Sequence, residues 1–107
     1  MLSANVAIGI RQVTRNFLYS PAELTDRLDL HFNEATVLKL NKLKTRALLS
    51  SIVDDLRVIV GDRSVVNWIR ASNPSFEGRS AIEVMLGDAH GVERVQRYVK
   101  AVAINPW

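Results

Sequence analysis

Histidines, adjacent carboxylates and clustered cations are the side chains whose types and spacing could do chemistry in this 107-residue sequence. His31 and His90 stand far apart in the chain, and no metal site is expected from them. They read instead as polar surface residues, His31 in a turn and His90 at a helix start. Asp54 and Asp55 are neighbours, so on a helix their carboxylates diverge by about 100° and are expected to reach water rather than to work as an acid/base pair. Cysteine is absent, which excludes disulfides, thiol catalysis and Cys-based zinc sites. There is no Gly-rich phosphate loop, nucleophile elbow or paired-carboxylate motif. A non-enzymatic protein without a cofactor is expected.

The cations carry a pattern. Residues 1–53 hold seven Lys/Arg against four Asp/Glu, whereas residues 54–107 hold seven of each, so the net charge of +3 lies in the first half. Residues 35–53 contain no acid, and Lys39, Lys42, Lys44 and Arg46 fall close together there. Such a cluster suits a phosphate backbone. A solvated helix face explains the same residues.

These groups need elements to position them, and the apolar spacing is helical nearly throughout. Val6, Ile10, Val13 and Phe17 mark an amphipathic helix near residues 4–17. Ser20, Pro21 and Glu23 form a helix start with a capping box. Asn33 can cap a following helix whose inner side is Val37, Leu40 and Leu43. Leu49, Ile52, Val53, Leu56 and Val60 then mark a helix closed by Gly61, with Asp62 available to cap the next one, where Val65, Trp68 and Ile69 face inward. Val58, Ile59 and Val60 are β-branched or apolar, but they lack the turn-flanked partners of a sheet. Asn73-Pro74 stops that helix, because the residue before proline is pushed out of the helical region. Ser80 and Glu83 form a second capping box, opening a short helix with Ile82, Met85 and Leu86 inward. Val92, Val95, Val99 and Val102 stripe a last segment near residues 88–104. The fold class expected is all-α.

With 48% apolar and 23% charged residues the chain has the composition of a globular domain. Its small size makes a homodimer a reasonable expectation. No apolar run reaches the roughly 20 residues of a membrane span. Arg11 and Arg15 without acids in residues 1–19 faintly echo a transit peptide, but an amphipathic helix explains them equally. A cytoplasmic location fits the missing cysteines.

The segment Ser20-Pro21-Ala22-Glu23-Leu24-Thr25-Asp26-Arg27-Leu28-Asp29-Leu30 resembles the opening of Xre-type helix-turn-helix domains, with Asp29 where that family usually has glycine. The second half resembles the Xre/MbcA/ParS-like antitoxins more specifically. Trp68-Ile69, Asn73-Pro74, Phe76, Gly78-Arg79, Ser80, Ile82-Glu83 and Val84-Met85 occupy that family's signature places, followed by Gly91 and Val95; Ala81 replaces the usual proline. The resemblance divides the chain into a helix-turn-helix-like region over residues 1–45 and a toxin-binding domain over residues 46–107.

It implies an antitoxin of a type II toxin-antitoxin system that neutralises a RES-domain toxin, an enzyme consuming or transferring ADP-ribose from NAD. Ile104, Asn105, Pro106 and Trp107 are then the segment that occludes the toxin's pocket, with Asn73, Phe76 and Arg79 contacting the toxin around it. Operator DNA, and repression of the protein's own operon, would fall to Asn33, Thr36, Lys39, Lys42, Lys44 and Arg46. A helical hairpin that only dimerises is the alternative for that half, and a DNA-binding regulator without a toxin is the alternative for the whole. Read as residues alone, Trp68 is a core anchor, Asn73-Pro74 a helix stop, Gly78 a backbone device of the loop and Glu83 a capping partner. Trp107 suits packing and partner insertion equally.

Overall fold

The computed structural model describes residues 18–104, and the described residues are all-α, without a strand. The helix expected near residues 4–17 lies outside them. Both capping boxes form. At α1 (Pro21–Leu28) the Ser20 hydroxyl accepts the Glu23 N–H at 3.1 Å, while the Glu23 carboxylate accepts the Ser20 N–H at 2.8 Å. Two helix-end donors are thereby satisfied reciprocally. α1 ends at Asp29 in the left-handed region, φ 54°, the conformation that a glycine there would supply. Aspartate tolerates it better than most side chains, and here both its ends are held. Arg70 donates to the Asp29 carboxylate at 2.7 Å and to its carbonyl at 3.0 Å.

Asn33 caps α2 (Glu34–Asn41) by accepting the Thr36 N–H at 2.9 Å. Lys42 then turns extended, ψ 127°, and α3 (Leu43–Val60) begins at once. This break resets the helical phase, so Leu43 does not join Leu40 on the inner face as its spacing predicts; it is 64% exposed. α3 carries the core's central row, Leu49, Ile52, Val53 and Leu56, all buried. Val58, Ile59 and Val60 lie in this helix. Gly61 closes it at φ 88°, a conformation that disfavours any side chain.

Asp62 opens a 3-10 turn (Asp62–Ser64) and does not cap α4 (Val65–Arg70) with its side chain. Its carboxylate is instead drawn back between Arg27, 3.4 Å, and Arg57, 3.2 Å. A second 3-10 turn (Pro74–Phe76) leads to α5 (Ala81–Gly87), capped by Ser80 and Glu83. Ala81, Ile82, Val84 and Met85 fill the inner face of α5, which leaves Leu86, expected inside, rotated outward and 46% exposed. α6 (Gly91–Ile104) lays Val92, Val95 and Val99 against the core, and its packing partners are α3 and α5. Burial of each such side chain is worth about 1.5–3 kcal/mol, which offsets the weak helix propensity of valine.

α3 is the hub: it touches α1, α2, α4 and α6. Gly91 sets how closely α6 approaches α5, since a Cβ there would lie 1.8 Å from the Val84 carbonyl oxygen. Asp54 and Asp55 are both engaged rather than free in water. Asp54 accepts the Tyr19 hydroxyl proton at 2.9 Å, and Lys100 Nζ lies 3.0 Å from the Asp55 carboxylate.

Candidate functional site

The loop of residues 71–80, between α4 and α5, is built almost entirely from its own backbone. The Asn73 side chain accepts the Ser75 N–H at 2.9 Å, fixing the entry to the Pro74–Phe76 turn. The Asn73 carbonyl accepts from both Phe76 and Gly78, and Asn73 N–H donates to the Arg79 carbonyl. Glu77 and Gly78 take φ 57° and 83°, reversing the chain, and Ser72 pairs with Ser80 in an antiparallel bridge that closes its base. Gly78 therefore serves the backbone, as its sequence position implies. Asn73 is both helix stop and turn cap.

Phe76 anchors the loop from inside. It is 1% exposed, stands edge-on to Tyr98 at 5.3 Å between centroids, and lies under the Arg94 guanidinium at 5.3 Å. Tyr98 stacks in turn on Trp68 at 6.2 Å, so the aromatic column runs from the loop across α6 to α4. Trp68 is partly buried against the core.

Charge holds the loop from outside. Arg79 grips Asp88 through both its terminal nitrogens, at 2.9 and 3.1 Å, and reaches Glu77 at 3.3 Å. Arg94 donates to Glu77 at 2.8 Å and to the Ser75 carbonyl at 3.0 Å. The Arg79 hydrogen bonds hold the Asp88 carboxyl below its usual range, and those of Arg94, then Arg79, do the same to Glu77. Asp88 in turn raises the Arg79 guanidinium further. The fork-to-fork geometry of the Arg79 and Asp88 pair fixes orientation as well as charge.

Asn73, Phe76 and Arg79 thus come together in one loop, with Phe76 facing the core and Asn73 and Arg79 partly exposed. Asn105, Pro106 and Trp107 lie outside the described residues, and α6 ends at Ile104, which leads into them. Sequence reasoning missed Arg94 and Tyr98. Their four-residue spacing marks a second face of α6, adjoining the valine stripe, and was available as a signal. Asp88, nine residues from Arg79, has no such local signature.

The residues expected to meet DNA do not form one free cationic face. Asn33 is occupied as a cap, and Thr36 is buried. Lys39 Nζ donates to the Met85 carbonyl near the end of α5, and burial lowers its pKa. Lys44 lies 3.7 Å from Glu93 on α6, with its side chain 80% exposed. Arg46 is partly buried, its Nε without a hydrogen-bond partner among the described residues, whereas Lys42 is exposed. The exposed side of α2 carries Glu34, Ala35, Leu38 and Asn41. His31 and His90 are both exposed, and His90 Nδ1 lies 3.8 Å from Glu93. No cluster of metal-ligating side chains occurs among the described residues. None of the described helices is long and apolar enough to cross a membrane.

Residues 55–103 match the family model of the antitoxin Xre/MbcA/ParS C-terminal toxin-binding domain. The matched stretch runs from the last turns of α3 through α4, the 71–80 loop, α5 and most of α6. It includes Asn73, Phe76 and Arg79, stops before Ile104, and excludes every residue expected at DNA. No curated protein and no solved structure matches the chain. The match supports an antitoxin role in general, with a toxin as partner.

Proposed function

We propose that this protein neutralises a RES-domain toxin by holding it on the α4, α5 and α6 face while residues 104–107 block the toxin's NAD pocket. The observation that carries the reading is the match of residues 55–103 to a toxin-binding domain. Two physical features support it. The 71–80 loop is pinned by hydrogen bonds and by the Arg79 and Arg94 network before any partner arrives, so little ordering entropy is spent on binding. Residues 105–107 follow α6 in the sequence, and α6 packs against α3 and α5.

Co-expression with a RES-domain protein, co-purification and an NAD-consumption assay test the proposal. A stable complex with suppressed NAD turnover is expected, and removal of residues 105–107 should restore turnover while helical content stays unchanged. Inhibition that survives the deletion would refute occlusion by the tail. Failure to form any complex would refute the RES assignment itself.

A further inference from the structure

α2 buries Thr36 and Leu40 and turns its opposite face, Glu34, Ala35, Leu38 and Asn41 with Lys42 at the cap, to water. Leu38 is the centre of that face and is 61% exposed; Phe32 just ahead of the helix and Leu43 just after it are 61% and 64% exposed. Scattered apolar residues are ordinary on a surface, but this grouping marks a face that suits a partner. Glu34 and Lys42 stand at its two ends, and neither has an ion-pair partner among the described residues. A DNA duplex would meet one cation, one acid and a hydrocarbon centre here, where phosphates need cations. The face complements itself instead. When two copies of a helix pack antiparallel about a two-fold axis, a residue a given number of places before the axis faces the residue as many places after it. With the axis at Leu38, Leu38 meets its own copy, Ala35 meets Asn41, and Glu34 meets Lys42 twice over. A parallel pairing would set Glu34 on Glu34 and Lys42 on Lys42.

We infer that this face binds a second copy of the chain in an antiparallel α2-to-α2 contact centred on Leu38. α2 lies ahead of residues 55–103, so the inference stands apart from the toxin reading. A pair of eight-residue helices is small beside the roughly 800 Å² per partner of a standard interface, so a dimer forming in the micromolar range is expected, with Phe32 and Leu43 at its margins.

Sedimentation equilibrium of the full chain over a range of concentrations tests this. Leu38→Glu keeps a good helix former at an exposed position but sets two carboxylates against each other on the axis, and should weaken the dimer about tenfold or more. Removing one exposed charge of a pair changes little, so charge reversal is the sharper probe of register. Glu34→Lys and Lys42→Glu each bring like charges face to face twice, and each should self-associate less than the parent chain. An equimolar mixture of the two restores both opposite-charge pairs and should recover the dimer, with helical content by circular dichroism unchanged throughout. A chain that stays monomeric at every concentration, or a dimer indifferent to Leu38→Glu and to both reversals, would overturn the inference. A monomer whose affinity for duplex DNA falls in Leu38→Glu would give the face to DNA and overturn it as well.

Discussion

Phe76 and Gly91 are two residues whose side-chain size leaves little latitude. Phe76 is enclosed by the core on one side and by Tyr98 and Arg94 on the other. Phe76→Ala is expected to cost about 3–5 kcal/mol by leaving a cavity, read as a lower urea midpoint at constant slope. Gly91 has the opposite problem. A methyl group would meet the backbone of Val84, which cannot rotate away, so Gly91→Ala should destabilise by about 1–3 kcal/mol or more through forced separation of α5 and α6. Both effects are measurable by chemical denaturation. Lys39 illustrates a residue whose type misleads. In sequence it is one of several cations, but its ammonium is drawn under α5 to the Met85 carbonyl. Lys39→Ala is expected to lower stability by about 1 kcal/mol, whereas Lys42→Ala should leave it unchanged. A DNA-binding assay that used Lys39→Ala would therefore read stability together with phosphate contact. Lys42→Ala reports the contact alone.

At the level of elements, three of the helix starts and most helix phases were legible, and the exceptions were Leu43, Leu86 and the Asp62 cap. Ser20 with Glu23, Asn33, and Ser80 with Glu83 announce their caps because the hydrogen bonds are local, three residues apart. The inward direction of Leu43 and Leu86 depended on unbroken helices of the right length. A one-residue break at Lys42 turned Leu43 outward, and in α5 the inner face is taken by Ala81, Ile82, Val84 and Met85, which leaves Leu86 outside. Asp62 was misread for a related reason: its carboxylate finds Arg27 from a distant helix, a partner no spacing rule reveals. In the loop network, Glu77 and Asp88 had no local signature, whereas Arg94 lay on a face of α6 that its spacing from Tyr98 marks. The capped elements also predict the acid response. Glu23, Glu83, Glu77, Asp88 and Glu93 all have lowered pKa values, from backbone hydrogen bonds at the helix starts and from arginines at the loop. A carboxylate whose folded pKa lies below its unfolded value adds stability that is fully present above the unfolded value and is lost as pH falls through the folded one. Melting temperature should therefore hold steady down to about pH 5 and decline below it. Arg79→Met should remove part of that decline, because Asp88 then loses its main perturbation. A melting temperature independent of pH between 3 and 6 would contradict this account.

Across the whole molecule, the two regions expected from sequence share one helix. α3 begins at Leu43, ahead of the division at residue 45, and continues to Val60, inside the stretch matching the toxin-binding domain. Polar contacts tie the regions further. Tyr19 N–H donates to Ser50, its hydroxyl bridges Asp54 and Arg57, and Arg27 sits over its ring at 5.0 Å. Burial and the Asp54 hydrogen bond raise the Tyr19 pKa, so this knot persists well above neutral pH. Leu49, Ile52 and Val53, which lie in the core with the valine row of α6, come before residue 55 and so outside the matched stretch. A fragment of residues 55–107 is expected to lack cooperative unfolding and to aggregate, while one of residues 43–107 should keep helical content, as circular dichroism would show. Transplanting the matched stretch alone onto another protein would then move a face without its spine. The shortest stretch expected to hold this face in shape is therefore longer than the stretch that matches the family model.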